Sequence, residues 1–152
     1  MTSEQTDATT SAETGFSEAE RAAMRARADE LRASGRGGAK KAEEAQACLG
    51  AIAAMPDGDR ALAERVHTLV SEAAPGLRPK TWYGMPAYVN EDAKVVCFFK
   101  PGSKFGTRYS TLGFNDVARL DDGDLWPTEY AVHAMSDAVA ARVQELVRRA
   151  VG

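Results

Sequence analysis

The chain has 152 residues, 44% of them apolar and 27% charged, with 19 basic groups against 22 acidic ones and a formal net charge of -3. A domain of this length buries roughly 70% of its unfolded surface, so it holds a core without disulfides or a structural metal, and a second full domain does not fit. No apolar run approaches the roughly 20 residues that cross a bilayer, the first residues lack the parts of a signal peptide, and no basic excess marks a general nucleic-acid binder; a cytoplasmic protein without a membrane partner is expected.

The negative charge is local. Residues 1–15 hold Glu4, Asp7 and Glu13 and no basic group, which leaves 19 charges of each sign over the rest. That segment has no large apolar residue after Met1 to offset its ordering entropy, so it is expected to be a disordered tail. Folded structure then begins at Phe16, where Ser17 and Glu20 have the spacing of a capping box. A helix follows to about Ala33 with a thin apolar stripe at Met24, Ala28 and Leu31, and Ser34-Gly35-Arg36-Gly37-Gly38 breaks it. A second helix over residues 41–54 carries Ala45, Cys48, Leu49 and Ile52 at helical spacing and ends at Met55-Pro56. The third, over residues 59–74, has the clearest periodicity, with Leu62, Val66, Leu69, Val70 and Ala73 on one face.

From Pro75-Gly76 to about residue 112 the composition turns β-branched and aromatic. Three strands are expected: Thr81 to Tyr83 continuing past Gly84-Met85-Pro86 into Ala87 to Val89, then residues 94–100, then residues 105–112. Short turns between them make antiparallel hairpins, and a further strand is expected over residues 130–133. Ser136 or Asp137 caps a last helix to Ala150 with Val139, Val143, Leu146 and Val147 on one face. The fold class is therefore α+β, an antiparallel sheet of four or five strands with the helices at 59–74 and 136–150 packed on one face. Residues 56–152 form the core unit, and residues 16–55 are a two-helix extension of the same domain. The strand at 94–100 is apolar on both sides, so both sheet faces need a cover.

The stretch Lys80-Thr-Trp-Tyr-Gly-Met-Pro-Ala-Tyr88, followed by Lys94-Val-Val-Cys-Phe-Phe-Lys100 and Lys104-Phe-Gly-Thr-Arg-Tyr-Ser-Thr-Leu-Gly-Phe114, resembles the YdhG-like family, a domain of unknown function (1801). The resemblance covers residues 57–152 and implies a small α+β fold, distantly frataxin-like, with no settled reaction. Some relatives are labelled iron chaperones. In frataxins that label rests on an acidic ridge along the first helix, whereas here Arg21, Arg25, Arg27 and Arg32 interleave with the acids.

Within this stretch Trp82, Tyr83, Met85 and Tyr88 supply flat or soft apolar surface, Tyr109 a further ring, and Lys100 and Arg108 fixed cations beside them. Such a set suits a small planar or anionic ligand, Arg108 gripping a carboxylate or phosphate with both prongs. The same aromatics also fit as the rim of the core, with the cations guarding a sheet edge. The acidic run Asp116, Asp121, Asp122, Asp124 and Glu129 fails as a calcium loop, because Ala118 and Leu120 fall where carboxylates are needed, and reads as a solvated turn. Cys48 and Cys97 have no close-spaced partner and read as core thiols, His67 as a helix-flank residue, and Ser110 has no activating base nearby in sequence. No nucleotide-binding, zinc-protease or hydrolase motif occurs, so no cofactor, metal ligand or catalytic residue is assigned. The expected function is a non-enzymatic small-ligand or protein-interaction module. A frataxin-like iron-binding protein and a small enzyme are the alternatives.

Overall fold

The computed structural model describes residues 15–33 and 38–152. The tail expected before them and the glycine-rich break at 34–37 lie outside the described residues. Five helices and five strands follow in the order α1 (Glu18–Ala33), α2 (Gly38–Ala53), α3 (Asp57–Ala73), β1 (Arg78–Trp82), β2 (Met85–Val89), β3 (Val95–Lys100), a single turn α4 (Gly102–Phe105), β4 (Ser110–Phe114), β5 (Glu129–Val132) and α5 (Asp137–Val151). The strands pair antiparallel in sequence order, a five-stranded meander, so the α+β class read from the sequence holds. No described helix is long and apolar enough to cross a membrane.

The caps sit where the sequence places them. Glu20 N–H donates to Ser17 Oγ and Ser17 N–H to Glu20 Oε1, both at 3.1 Å, which closes the reciprocal box at the start of α1. Ser136 Oγ accepts from Val139 N–H at 3.2 Å at the start of α5.

Two strands differ from expectation. The segment at 81–89 is a hairpin, not one strand, because Tyr83 (φ 54°) and Gly84 (φ 77°) are both left-handed. Two such residues in succession make the tight turn whose twist matches a hairpin, and Trp82 pairs with Met85 across it. The segment at 105–112 begins as the α4 turn, which Gly106 (φ 71°) closes, and the chain becomes a strand only at Ser110. The reason is local: Gly102 N–H donates to Ser110 Oγ at 2.9 Å and Thr107 N–H to Gly102 O at 3.0 Å, a compact loop that no ladder could offer these groups. A side chain on Gly102 would come within 2.7 Å of Tyr109 O.

One sheet face and the helices α3 and α5 form the main core, where Tyr88, Cys97, Phe99 and Leu112 meet Val66, Leu69, Val143 and Val147. The other face holds a smaller cluster of Met85, Ala87 and Phe98 with Trp82, Val95 and Phe105 around it. The N-terminal helices are its cover: α2 packs along the β1–β2 hairpin and α1 against β1 and α4. This answers the double-sided apolar character of β3.

Candidate functional site

A cleft of about 550 Å³ opens at one end of the sheet, between the first turns of α3, the α4 loop and the residues after β5. Its floor is apolar (Leu62, Val132 and Met135), and its rim carries Arg65, Arg108 and His133 with Ser103, Thr107 and Tyr109. Asp59 builds the rim. Only 6% exposed, its carboxylate accepts from Ser103 N–H at 3.2 Å and Ser103 Oγ–H at 3.3 Å, so the first turn of α3 clamps the start of α4. Thr107 Oγ–H donates to Tyr109 O at 2.8 Å, and the Arg108 guanidinium lies 5.5 Å from the Tyr109 ring centre. The loop is thus tied at both ends, and Arg108 and Tyr109 are displayed between the ties.

The charged groups lining the cleft are Arg65, Arg108 and Asp59. Among the described residues neither Arg65 nor Arg108 is in an ion pair, a state they share with Arg25, Arg78, Arg119, Arg148 and Arg149, but these two line one cleft. The carboxylate lining the cleft, Asp59, is committed to Ser103. Ser103 and Ser110 are likewise engaged in holding the loop.

The residues singled out in the sequence fall into three places. Arg108 and Tyr109 line the cleft. Trp82, Tyr83, Met85 and Lys100 instead line a second hollow of about 390 Å³ beneath α1, together with Met24, Phe98 and Phe105. Tyr88 is in neither, because its position in β2 turns it into the main core, where it is 1% exposed and hydrogen-bonds through its hydroxyl with His67 Nδ1 at 3.0 Å. The sequence reading left out Asp59 and Arg65. The signal was present in Asp57-Gly58-Asp59, where a buried acid near a helix start faces Gly102-Ser103 across the fold, but a contact spanning 44 residues has no local signature.

The buried polar groups explain themselves without chemistry. Burial pushes the Cys48 thiol up to about 11 and the Cys97 thiol up to about 12, and the Tyr88 hydroxyl far above its ordinary range, so none is a nucleophile at neutral pH. Burial moves His67 the other way, below the usual histidine value. Below about pH 6.5 the unfolded chain therefore binds a proton that folded His67 takes up only at lower pH, and stability is lost as pH falls through that window. The denaturant midpoint of the wild type should fall on acidification from pH 7 to pH 5 more steeply than that of His67→Gln, in which this component is gone. Among the described residues no three His, Cys, Asp or Glu side chains come together as a metal site, and Asp121, Asp122 and Asp124 are exposed along their loop. No family profile, curated protein or solved structure matches the chain.

Proposed function

We propose that the chain is a YdhG-like domain whose cleft binds a small organic anion, a carboxylate or a phosphate, with Arg65 and Arg108 as the anion grips and the exposed Tyr109 ring as a flat wall. The observation that carries this reading is two guanidinium groups on one concave site with no acidic partner for either among the described residues. A guanidinium meets a carboxylate or phosphate with two parallel hydrogen bonds, and the apolar floor takes the body of the molecule. Binding rather than turnover is favoured because the two serines that line the cleft, Ser103 and Ser110, are engaged in hydrogen bonds that hold the loop in place.

The test is calorimetric titration of the full chain with inorganic phosphate, sulfate and short dicarboxylates. Arg108→Ala and Arg65→Ala should each weaken binding by about 10- to 100-fold, the loss of a hydrogen bond to a charged group of about 1.5–3 kcal/mol. Arg108→Lys should fall between wild type and Arg108→Ala, since it keeps the charge and loses the fork. Binding by the wild type that the alanine variants leave unchanged would overturn the assignment of the cleft, and no binding of any anion would overturn the reading itself.

A further inference from the structure

The rim of the cleft holds a third ionisable group beside the two arginines. His133 follows β5, and the register that pairs Ser110 with Val132 brings the residues just beyond them, Tyr109 and His133, to one end of the sheet. Arg108 precedes Tyr109 there, while Arg65 and Asp59 reach the cleft from α3. The two histidines of the chain differ in their surroundings. His67 is half-buried and hydrogen-bonded to the Tyr88 hydroxyl at 3.0 Å. His133 is exposed, and among the described residues its imidazole has no hydrogen bond, ion pair or ring contact. It stands on a concave site with both its nitrogens uncommitted.

With His133 neutral, the groups lining the cleft sum to a single positive charge, two guanidinium groups against the Asp59 carboxylate. With His133 protonated they sum to two. Histidine side chains change charge between about pH 5 and 8, and a nearby anion favours the charged form. A singly charged ligand is balanced by the cleft with His133 neutral. A doubly charged one is balanced only when His133 takes up a proton, so dianion binding and protonation of His133 favour each other by the same factor in either direction. The lining also offers a place for more than a bare ion. A cleft of about 550 Å³ is of the size that takes a whole organic molecule, and an inorganic ion would leave the floor of Leu62, Val132 and Met135 uncovered.

Resting on the anion-binding reading of this cleft, we propose that its ligand is an organic dianion, two acidic groups on an apolar or aromatic body, and that His133 takes up a proton as the ligand binds. One acidic group meets Arg65 from α3, the other meets Arg108 and the His133 imidazolium at the sheet end, and the body lies on the apolar floor beside the Tyr109 ring. The sign of the pH dependence follows. The bound dianion holds the proton on His133, so affinity is greatest on the acid side of the histidine range and falls as pH rises through it. Arginine and tyrosine side chains do not titrate in that range, which leaves the Asp59 carboxylate as the other lining group whose protonation would favour an anion. Asp59→Asn separates the two, because it removes that carboxylate and keeps His133.

The experiment is calorimetric titration of the full chain with benzene-1,3-disulfonate, benzenesulfonate and sulfate, anions whose own charge does not change between pH 5.5 and pH 8. The disulfonate should bind about tenfold more tightly at pH 5.5 than at pH 8, the contribution of one added hydrogen bond to a charged group, and benzenesulfonate about threefold or less. Titration near neutral pH in buffers of different ionisation enthalpy should show proton uptake with the disulfonate. In His133→Gln the uptake and the pH dependence should vanish, with affinity close to that of the wild type at pH 8, whereas both should persist in Asp59→Asn. The exposed, unbonded position of His133 leaves the fold of the variant intact, which urea unfolding checks. The same pH profile in wild type and His133→Gln, or a dependence lost in Asp59→Asn instead, would overturn the role of His133. Sulfate binding as tightly as the disulfonate would overturn the ligand class, since the apolar body would then contribute nothing. Those outcomes leave anion binding by the cleft standing; a chain that binds none of the three anions at any pH removes that reading, and the role of His133 with it.

Discussion

Gly113→Ala is expected to destabilise the protein by about 3 kcal/mol, at the upper end of the ordinary cost of forcing an extra methyl into a packed site. At this chain length that corresponds to a fall of about 10 °C in Tm. Gly113 pairs with Phe98 across β3 and β4, and the Phe98 ring occupies the space a side chain at Gly113 would need. A Cβ there would stand 2.1 Å from Phe98 Cζ, with the two adjacent ring carbons at 2.5 and 2.8 Å. The ring has no easy retreat. It is 7% exposed, clustered with Met85 and Ala87, and its centre is 5.1 Å from that of Trp82. An aromatic laid over a cross-strand glycine is a known way to pin register, so the pair joins sequence to pairing directly. Thermal unfolding checks the value, and a double-mutant cycle checks the cause. Phe98→Leu alone should destabilise, yet in the Gly113→Ala background it should cost less or restore stability, because the clash is with the ring. Additive effects would mean that the methyl is accommodated by backbone movement instead.

The same pair shows why the fold was legible and the site was only partly so. Val95 to Phe99 is apolar on both sides, which dictates a covered strand, and the i, i+4, i+7 pattern of α3 and α5 dictates where the thicker layer lies. Both are local signals. The Tyr83-Gly84 turn was missed because a non-glycine residue at φ 54° hides a two-residue hairpin inside what reads as a continuous strand. Phe105 to Tyr109 alternates like a strand, but Asp59 from α3 and Ser110 from β4 supply hydrogen bonds that stabilise a turn there. Asp59 lies 44 residues from Ser103, and Ser110, though it adjoins the segment, acts back across the whole loop on Gly102. That difference moved Arg108 and Tyr109 away from Trp82 and Met85, and so divided one expected site into a polar cleft and an apolar hollow. Tyr88 followed the alternation of β2 into the core, where the strand period alone places it opposite Met85 and Ala87.

Asp59 allows the cleft's geometry and its charge to be varied separately. Asp59→Ala removes the acceptor for Ser103 N–H and Oγ–H, and the loss of hydrogen bonds to a charged group costs about 1.5–3 kcal/mol. The α4 turn should loosen, and with it the loop that displays Arg108, so the variant should lose stability and bind anions at least tenfold more weakly. Asp59→Asn behaves differently. Its side-chain oxygen still accepts from Ser103, while the negative charge facing the cleft is gone, and an anion held by Arg65 and Arg108 no longer meets a repelling carboxylate on the cleft wall. Anion affinity in Asp59→Asn should therefore rise by a few-fold over wild type at low salt, with the gain shrinking as salt is added. The opposite signs of the two substitutions are the test, read by calorimetric titration with phosphate beside urea unfolding of each variant. If both weaken binding equally, Asp59 serves the anion site through the loop's shape alone. If neither does, Arg108 does not depend on the clamp, and the anion is held elsewhere.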